Sequence, residues 1–287
     1  MRLHARTTVA VLIPTDRAGR PGRVRLGLLS DVHGNRVALE AVVADGIRNG
    51  VEEWWALGDF VAIGPEPTET LEMLTNLPSV RFVRGNTDRY VASGERPAPH
   101  QEDVERDPAL MPLFLAVESS FAWTRDQMRP RDLAWLAALP TEQRAVLPDG
   151  TRLLGVHASP RSDDGTGITP EVPDADLAAL LADSDADVVC GGHTHQPTDR
   201  RVGPTRAVNL GSVSNPITSD LRATYVVVDG DRHGHRLAHR RVAYDHDAVL
   251  ERVRRSDHPE RDYISSFQRG DQVRHLAERP GAPAFDS

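Results

Sequence analysis

The sequence predicts an α/β fold of two facing mixed sheets flanked by helices, and three observations predict it. The first ninety residues alternate apolar strand-like runs with amphipathic helical stretches, the order that gives a largely parallel sheet with crossover helices. A second set of apolar runs follows residue 139 and contains an Asp149-Gly150 hairpin signal. The runs end in polar clusters, as strands do when their carboxyl ends carry a site.

Residues 1–22 close on the turn-rich "DRAGRPG" and read as a poorly ordered N-terminal extension, with the domain proper expected over 23–256. "RVRLGLLS" is an apolar run suited to a buried strand. "NRVALEAVVADGIRNG" puts Val37, Leu39, Val42, Val43 and Ile47 near helical spacing and closes on Gly50. "EEWWALGDF" is the second strand; Trp54 and Trp55 face opposite ways along it, and core packing is expected for one of them. "PTETLEMLTNL" supplies the second helix and "VRFVRGNTD" the third strand.

Residues 90–139 read as a helical insertion, expected to cover the site: a Pro-rich acidic connection leads into "FLAVESSFAWTRDQM" and "RDLAWLAALP". "QRAVLPDGTRLLGVHASP" is the hairpin, "DADLAALLAD" a helix, and "ADVVCGG", "TRAVNLG" and "ATYVVVDG" strands. A last hairpin and the helical "HDAVLERVRR" complete the domain, leaving 257–287 as a charged tail whose "RPGAPAFDS" is expected to be disordered.

At 287 residues the chain is long enough to bury a full core. Its formal charge of -8 argues against nucleic acid or an anionic membrane as partner. All 34 cationic residues are arginine, so a Walker A loop and a Schiff-base lysine are excluded. The single cysteine, Cys190, forms no internal disulfide and is expected to pack in a strand, which points to the cytoplasm. The apolar run Val9 to Ile13 is too short for a secretory leader, and no stretch approaches membrane-spanning length.

The polar residues that follow strands are Asp31 and His33, Asp59, Asn86, His157, and His193 with His195. Oxygen and imidazole donors without thiolate suit Mn, Fe, Zn, Co or Ni. Seven donors exceed the needs of one tetrahedral ion, whereas two ions sharing a bridging carboxylate use them all, with Asp59 as the natural bridge. Taken singly, each cluster also fits an ordinary loop: "SDVHGN" an Asx turn capping a helix through Asp31 or Asn35, "GNTD" a simple turn. Together they are expected to converge on one sheet edge.

Asp31-x-His33, Gly58-Asp59, Gly85-Asn86, His157 and Gly192-His193-x-His195 meet, in order, the five-block pattern that the sequence resembles, that of the calcineurin-like metallophosphoesterase superfamily. "HGN", "HASP" and "NLGSVSNP" look most like its compact bacterial and archaeal phosphodiesterase branch. The resemblance implies a four-layer α/β/β/α sandwich. It implies a first ion on Asp31, His33 and His195, a second on Asn86, His157 and His193, and Asp59 on both. It also suggests that "NLGSVSNP" forms a turn supporting the site. Many members carry a proton-donating histidine where this chain has Thr87, so the donor is unidentified.

The implied activity is hydrolysis of a small phosphate ester, a diester or nucleotide among the candidates, by metal-activated hydroxide. Asn35 is a candidate donor to a phosphate oxygen. Arg36 and Arg84 lie near the site in sequence and read as surface residues. Two alternatives stay open at this point: a metal-dependent phosphomonoesterase or protein phosphatase, and a noncatalytic scaffold of the same fold.

Overall fold

The computed structural model describes residues 22–271. Except for Gly22, the N-terminal extension lies outside the described residues, as does "RPGAPAFDS". The predicted alternation is present in β1 (Val24–Leu29), α1 (Arg36–Arg48), β2 (Glu53–Leu57), α2 (Pro67–Thr75) and β3 (Val80–Val83). A helical run follows: α3 (Asn86–Ser93), α4 (Gln101–Arg106), a 3₁₀ turn (Pro108–Leu110), α5 (Met111–Gln127) and α6 (Pro130–Ala138). The hairpin is β4 (Glu142–Val146) and β5 (Arg152–Val156), then come α7 (Asp174–Leu181), β6 (Val188–Gly191), β7 (Thr198–Val202) and β8 (Thr205–Asn209). The long hairpin β9 (Ala223–Asp231) and β10 (Gly234–Val242) precedes α8 (His246–Arg255) and α9 (Arg261–Gln268).

The strands form two five-stranded sheets, β10-β9-β1-β2-β3 and β4-β5-β6-β8-β7. In each the central strands run parallel and an antiparallel hairpin closes an edge: β1, β2 and β3 are parallel with β9 against β1, and β5, β6 and β8 are parallel with β4 against β5. The crossover helices explain the parallel pairs, because parallel neighbours need a long return path.

Three apolar clusters define the layers. Leu39, Val42, Leu71, Leu74, Val117, Phe121 and Leu136 from the helices pack with Leu29, Trp54 and Tyr225 on the outer face of the first sheet. Leu26, Leu28, Trp55, Leu57 and Val83 meet Leu153, Val188, Cys190 and Val208 between the sheets. Leu154, Val156 and Val189 pack against Leu177 and Leu181 of α7. The result is helix, sheet, sheet, helix, the expected four-layer sandwich.

This layering corrects several expectations. Both tryptophans are core residues, because a sheet covered on both faces buries both sides of β2. Ile47, assigned to the apolar face of α1, is 66% exposed at the last turn of that helix. The insertion packs into the helix layer through Val91, Val117, Phe121 and Leu136. The chain beyond Asp257 is packed too: His258 is fully buried, and α9 buries Ile264 and Gln268. Among the described residues no helix is long and apolar enough to cross a membrane.

Candidate metal centre

Asp31 follows β1, Asp59 follows β2, and Asn86 opens α3 just after β3, all at the carboxyl end of the first sheet's parallel strands. His157 follows β5, and His193 and His195 follow β6, at the same end of the second sheet. The convergence expected on one sheet edge therefore occurs between two sheets. The loops after β1 and β2 are tied to each other: the amides of Val32 and His33 donate to the Asp59 carbonyl at 2.9 and 3.0 Å, and Gly34 N donates to Phe60 O at 2.8 Å.

The seven side chains lie together. His33 Nε2 and His195 Nε2 are 3.2 Å apart, and Asp31 Oδ1 is 3.2 Å from His195 Nε2 and 4.0 Å from His33 Nε2. Asn86 Oδ1 is 2.9 Å from His157 Nε2 and 3.2 Å from His193 Nδ1. Asp59 spans the two sets, with Oδ2 3.8 Å from His33 Nε2 and Oδ1 3.3 Å from His157 Nε2. An ion bound at about 2.0–2.2 Å requires neighbouring donors about 3–4 Å apart, which these separations match. Asp31 with His33 and His195, and Asp31 with Asp59 and His157, are each close enough to hold a cation.

Backbone carbonyls set the rings. His157 Nδ1 faces Leu57 O at 2.7 Å, His195 Nδ1 faces Asn215 O at 2.7 Å, and His193 Nε2 faces Gly165 O at 2.8 Å. Each carbonyl accepts a hydrogen bond from one ring N–H, which leaves the other nitrogen's lone pair in the centre. Backbone amides fix the carboxylates: His193 N donates to both Asp31 oxygens at 3.1 Å, and Thr87 N donates to Asp59 Oδ1 at 3.0 Å.

Two glycines make room. A Cβ on Gly85 would stand 2.1 Å from Asp59 Oδ1, and one on Gly192 would stand 2.3 Å from Asp31 Oδ2. Asp31, His33, Asp59, His193 and His195 themselves adopt left-handed backbone, with φ between 47 and 70°. Such conformations cost of order 1–3 kcal/mol each in non-glycine residues and gather where surrounding structure enforces a site.

Burial pushes the His33 imidazole down to about 4 and lowers His193 as well. Burial also opposes charge on His157 and His195, but the facing carboxylates, Asp59 for the first and Asp31 for the second, outweigh it and raise both. Against the same burial, these imidazoles hold Asp59 and Asp31 below the ordinary carboxylate range. A divalent cation carries the charge that such a cluster otherwise takes from protons.

Asn35 is corrected. It caps α1, with Oδ1 accepting from Ala38 N at 3.0 Å and Nδ2 donating to Ser214 Oγ at 3.2 Å, so its amide is committed within the fold. Arg36 pairs with Glu40 on α1, and Arg84 with Asp163. Thr87 is buried and its hydroxyl has no protein partner. Asp88 accepts from the amides of Asp59, Phe60 and Gly85 at 2.8, 2.9 and 3.0 Å. Burial, with Asp59 beside it, pushes its pKa up to about 7.

A family model for the calcineurin-like phosphoesterase superfamily domain matches residues 24–233. The chain belongs to that superfamily, and its class is therefore metal-dependent phosphoesterase, a hydrolase. A metallophosphoesterase from Sphaerobacter thermophilus is 27% identical, with a TM-score of 0.66 over 86% of this chain and 99% of that one. A hypothetical protein from Pyrococcus horikoshii shares the fold at 21% identity and a TM-score of 0.69, covering 85% of this chain and 97% of its own. An uncharacterized protein of Methanocaldococcus jannaschii is 24% identical over 256 residues, 82% of this chain and 94% of the relative.

Proposed function

We propose that the protein is a phosphodiesterase with two divalent ions, the first on Asp31, His33 and His195, the second on Asn86, His157 and His193, and Asp59 between them. The observation that carries the reading is the Asp59 carboxylate, whose two oxygens face different imidazoles, His157 and His33. The donor set suits Mn, Fe, Zn, Co or Ni. Bound there, two such ions lower the pKa of water and neutralise charge on a phosphoryl group.

The chain's own residues do the rest. Leu57, Asn215 and Gly165 orient the rings through their carbonyls, and the amides of Thr87 and His193 hold the carboxylates. His193 and His195, with side chains 15% and 12% exposed, mark the side open to substrate. Thr87, where many relatives have histidine, supplies no acid at neutral pH, so departure relies on the leaving group's own acidity. A small diester with an aryl-type leaving group, or a nucleotide, is the favoured substrate. The charge of -8 argues against nucleic acid, and a cytoplasmic setting fits the buried lone Cys190.

The test is a metal-reconstituted screen of phosphomonoesters, phosphodiesters and cyclic nucleotides, with Asp59→Asn as control. Diester hydrolysis that needs added metal and is lost in the variant supports the reading. A preference for monoesters overturns the diesterase assignment, and no hydrolysis with any added metal favours a scaffold.

A further inference from the structure

We infer that Gln268, on helix α9, is a positioning residue for the first ion, so that docking of α9 sets the affinity of that ion more than that of the second. The inference rests on the two-ion reading above. Gln268 is 7% exposed and reaches the Ser214–Asn215 turn from behind. Its Nε2 donates to Ser214 Oγ at 3.3 Å and to Asn215 Oδ1 at 3.4 Å, and its Oε1 accepts from the Tyr244 hydroxyl at 2.9 Å. Tyr244 Oη also lies 3.2 Å from the Ser214 carbonyl.

The other side of the same turn holds the first ion's residues. Asn215 O accepts from His195 Nδ1 at 2.7 Å, Ser214 N donates to Asp31 O at 3.2 Å, and Ser212 Oγ donates to Asp31 O at 2.9 Å. Ser212 Oγ in turn accepts from the amides of Ser214 and Asn215 at 3.1 and 2.8 Å. The turn is thus a wedge with Asp31 and His195 on one side and Gln268 with Tyr244 on the other. The second ion's rings rest on Leu57 O and Gly165 O, neither of which belongs to α9 or to this turn. Loosening the wedge frees the His195 ring and the Asp31 backbone, while the His157 and His193 rings keep their carbonyl partners.

The test uses the full chain and two variants, Gln268→Met, which keeps the length of the side chain without its hydrogen bonds, and Tyr244→Phe. Mn²⁺ titration calorimetry and electron paramagnetic resonance read the two sites separately. Partners that orient metal ligands are typically worth about 10- to 100-fold in affinity. The expected result is a loss of that size for one ion and a smaller loss for the other, because the two share Asp59. At Mn²⁺ concentrations that fill both sites of the wild type, the variant then shows isolated Mn²⁺ in place of a coupled pair. Equal weakening of both ions, or wild-type affinity for both, overturns the inference while leaving the two-ion reading intact. A wild-type protein that takes up no Mn²⁺ overturns both. Should Gln268→Met fail to fold, Tyr244→Phe removes one hydroxyl only and carries the same expectation and the same refutation.

Discussion

Asp59 combines a left-handed backbone, φ 59°, with a buried carboxylate that faces an imidazole at each oxygen. Asparagine tolerates left-handed backbone better than most residues and keeps the oxygen that accepts from Thr87 N. Asp59→Asn is therefore expected to keep the fold and the far-UV spectrum while losing more activity than the roughly 10- to 100-fold typical of an outer partner. A variant with near wild-type turnover would remove Asp59 from the centre. Gly85→Ala forces a Cβ to within 2.1 Å of Asp59 Oδ1 and should also cut metal affinity; unchanged Mn²⁺ binding would show that the carboxylate has room to move. A general acid is worth about 10²- to 10⁴-fold, so Thr87→His should raise turnover of poor leaving groups toward the low end of that range. The gain is limited because Asp88, which would orient the new ring, already accepts three backbone amides. Equal rates for good and poor leaving groups in the wild type would mean another donor exists. At this scale the sequence was legible where a residue type carries the chemistry, as in "GGHTH". The carbonyls of Leu57, Gly165 and Asn215 were not, since every residue has one, and Asn35 misled because capping and ligand binding use the same amide.

Among the elements, the segment that joins α8 to α9 carries a pH dependence of its own. His258 is fully buried, its Nδ1 accepts from Glu260 N at 3.0 Å, and its Nε2 lies 3.2 Å from Ser120 Oγ on α5. The ring is thus neutral with the proton on Nε2, and burial lowers its pKa from the ordinary 6.5 to about 4. Between those values the unfolded chain binds more protons than the folded one, so stability rises with pH through the window. The contribution is full above about 6.5, is lost as pH falls toward 4, and amounts to at most about 3–4 kcal/mol at roughly 1.4 kcal/mol per unit. His258→Asn keeps an acceptor for Glu260 N and removes the titration. Urea unfolding at several pH values should show a shallower acid loss in the variant, and identical slopes would assign that loss elsewhere. The same region escaped the sequence because Tyr263, Ile264 and Phe267 are few among many charges, and the apolar face they form shows only once the helix is in place. Strand β7 escaped for a similar reason: "TDRRV" has no apolar run and is a strand because it pairs along the whole of β8.

Across the whole molecule, the centre is a seam. Asp31, Asp59 and Asn86 belong to one sheet and the three histidines of β5 and β6 to the other, so a cation bound by both ties the two halves of the sandwich together. The two facing sheets and the polar ends of their strands are readable from the alternation of apolar runs, but the order of strands within each sheet is not, because a hydrogen-bonded neighbour as distant in the chain as β9 is from β1 leaves no spacing in the sequence. The seam makes thermal stability a measure of cation binding. An ion that binds only the folded state adds about 2.7 kcal/mol at a hundred times its dissociation constant. At roughly 2–4 °C per kcal/mol for a domain of this size, saturating Mn²⁺ should raise Tm by about 5–10 °C, and EDTA should reverse the rise. Asn86→Ala and His193→Ala lie on opposite sheets, so each should shrink the rise if the ions span the seam. A rise that survives both substitutions would mean that the cation stabilises the protein from some other place, and the two sheets would then meet without one between them.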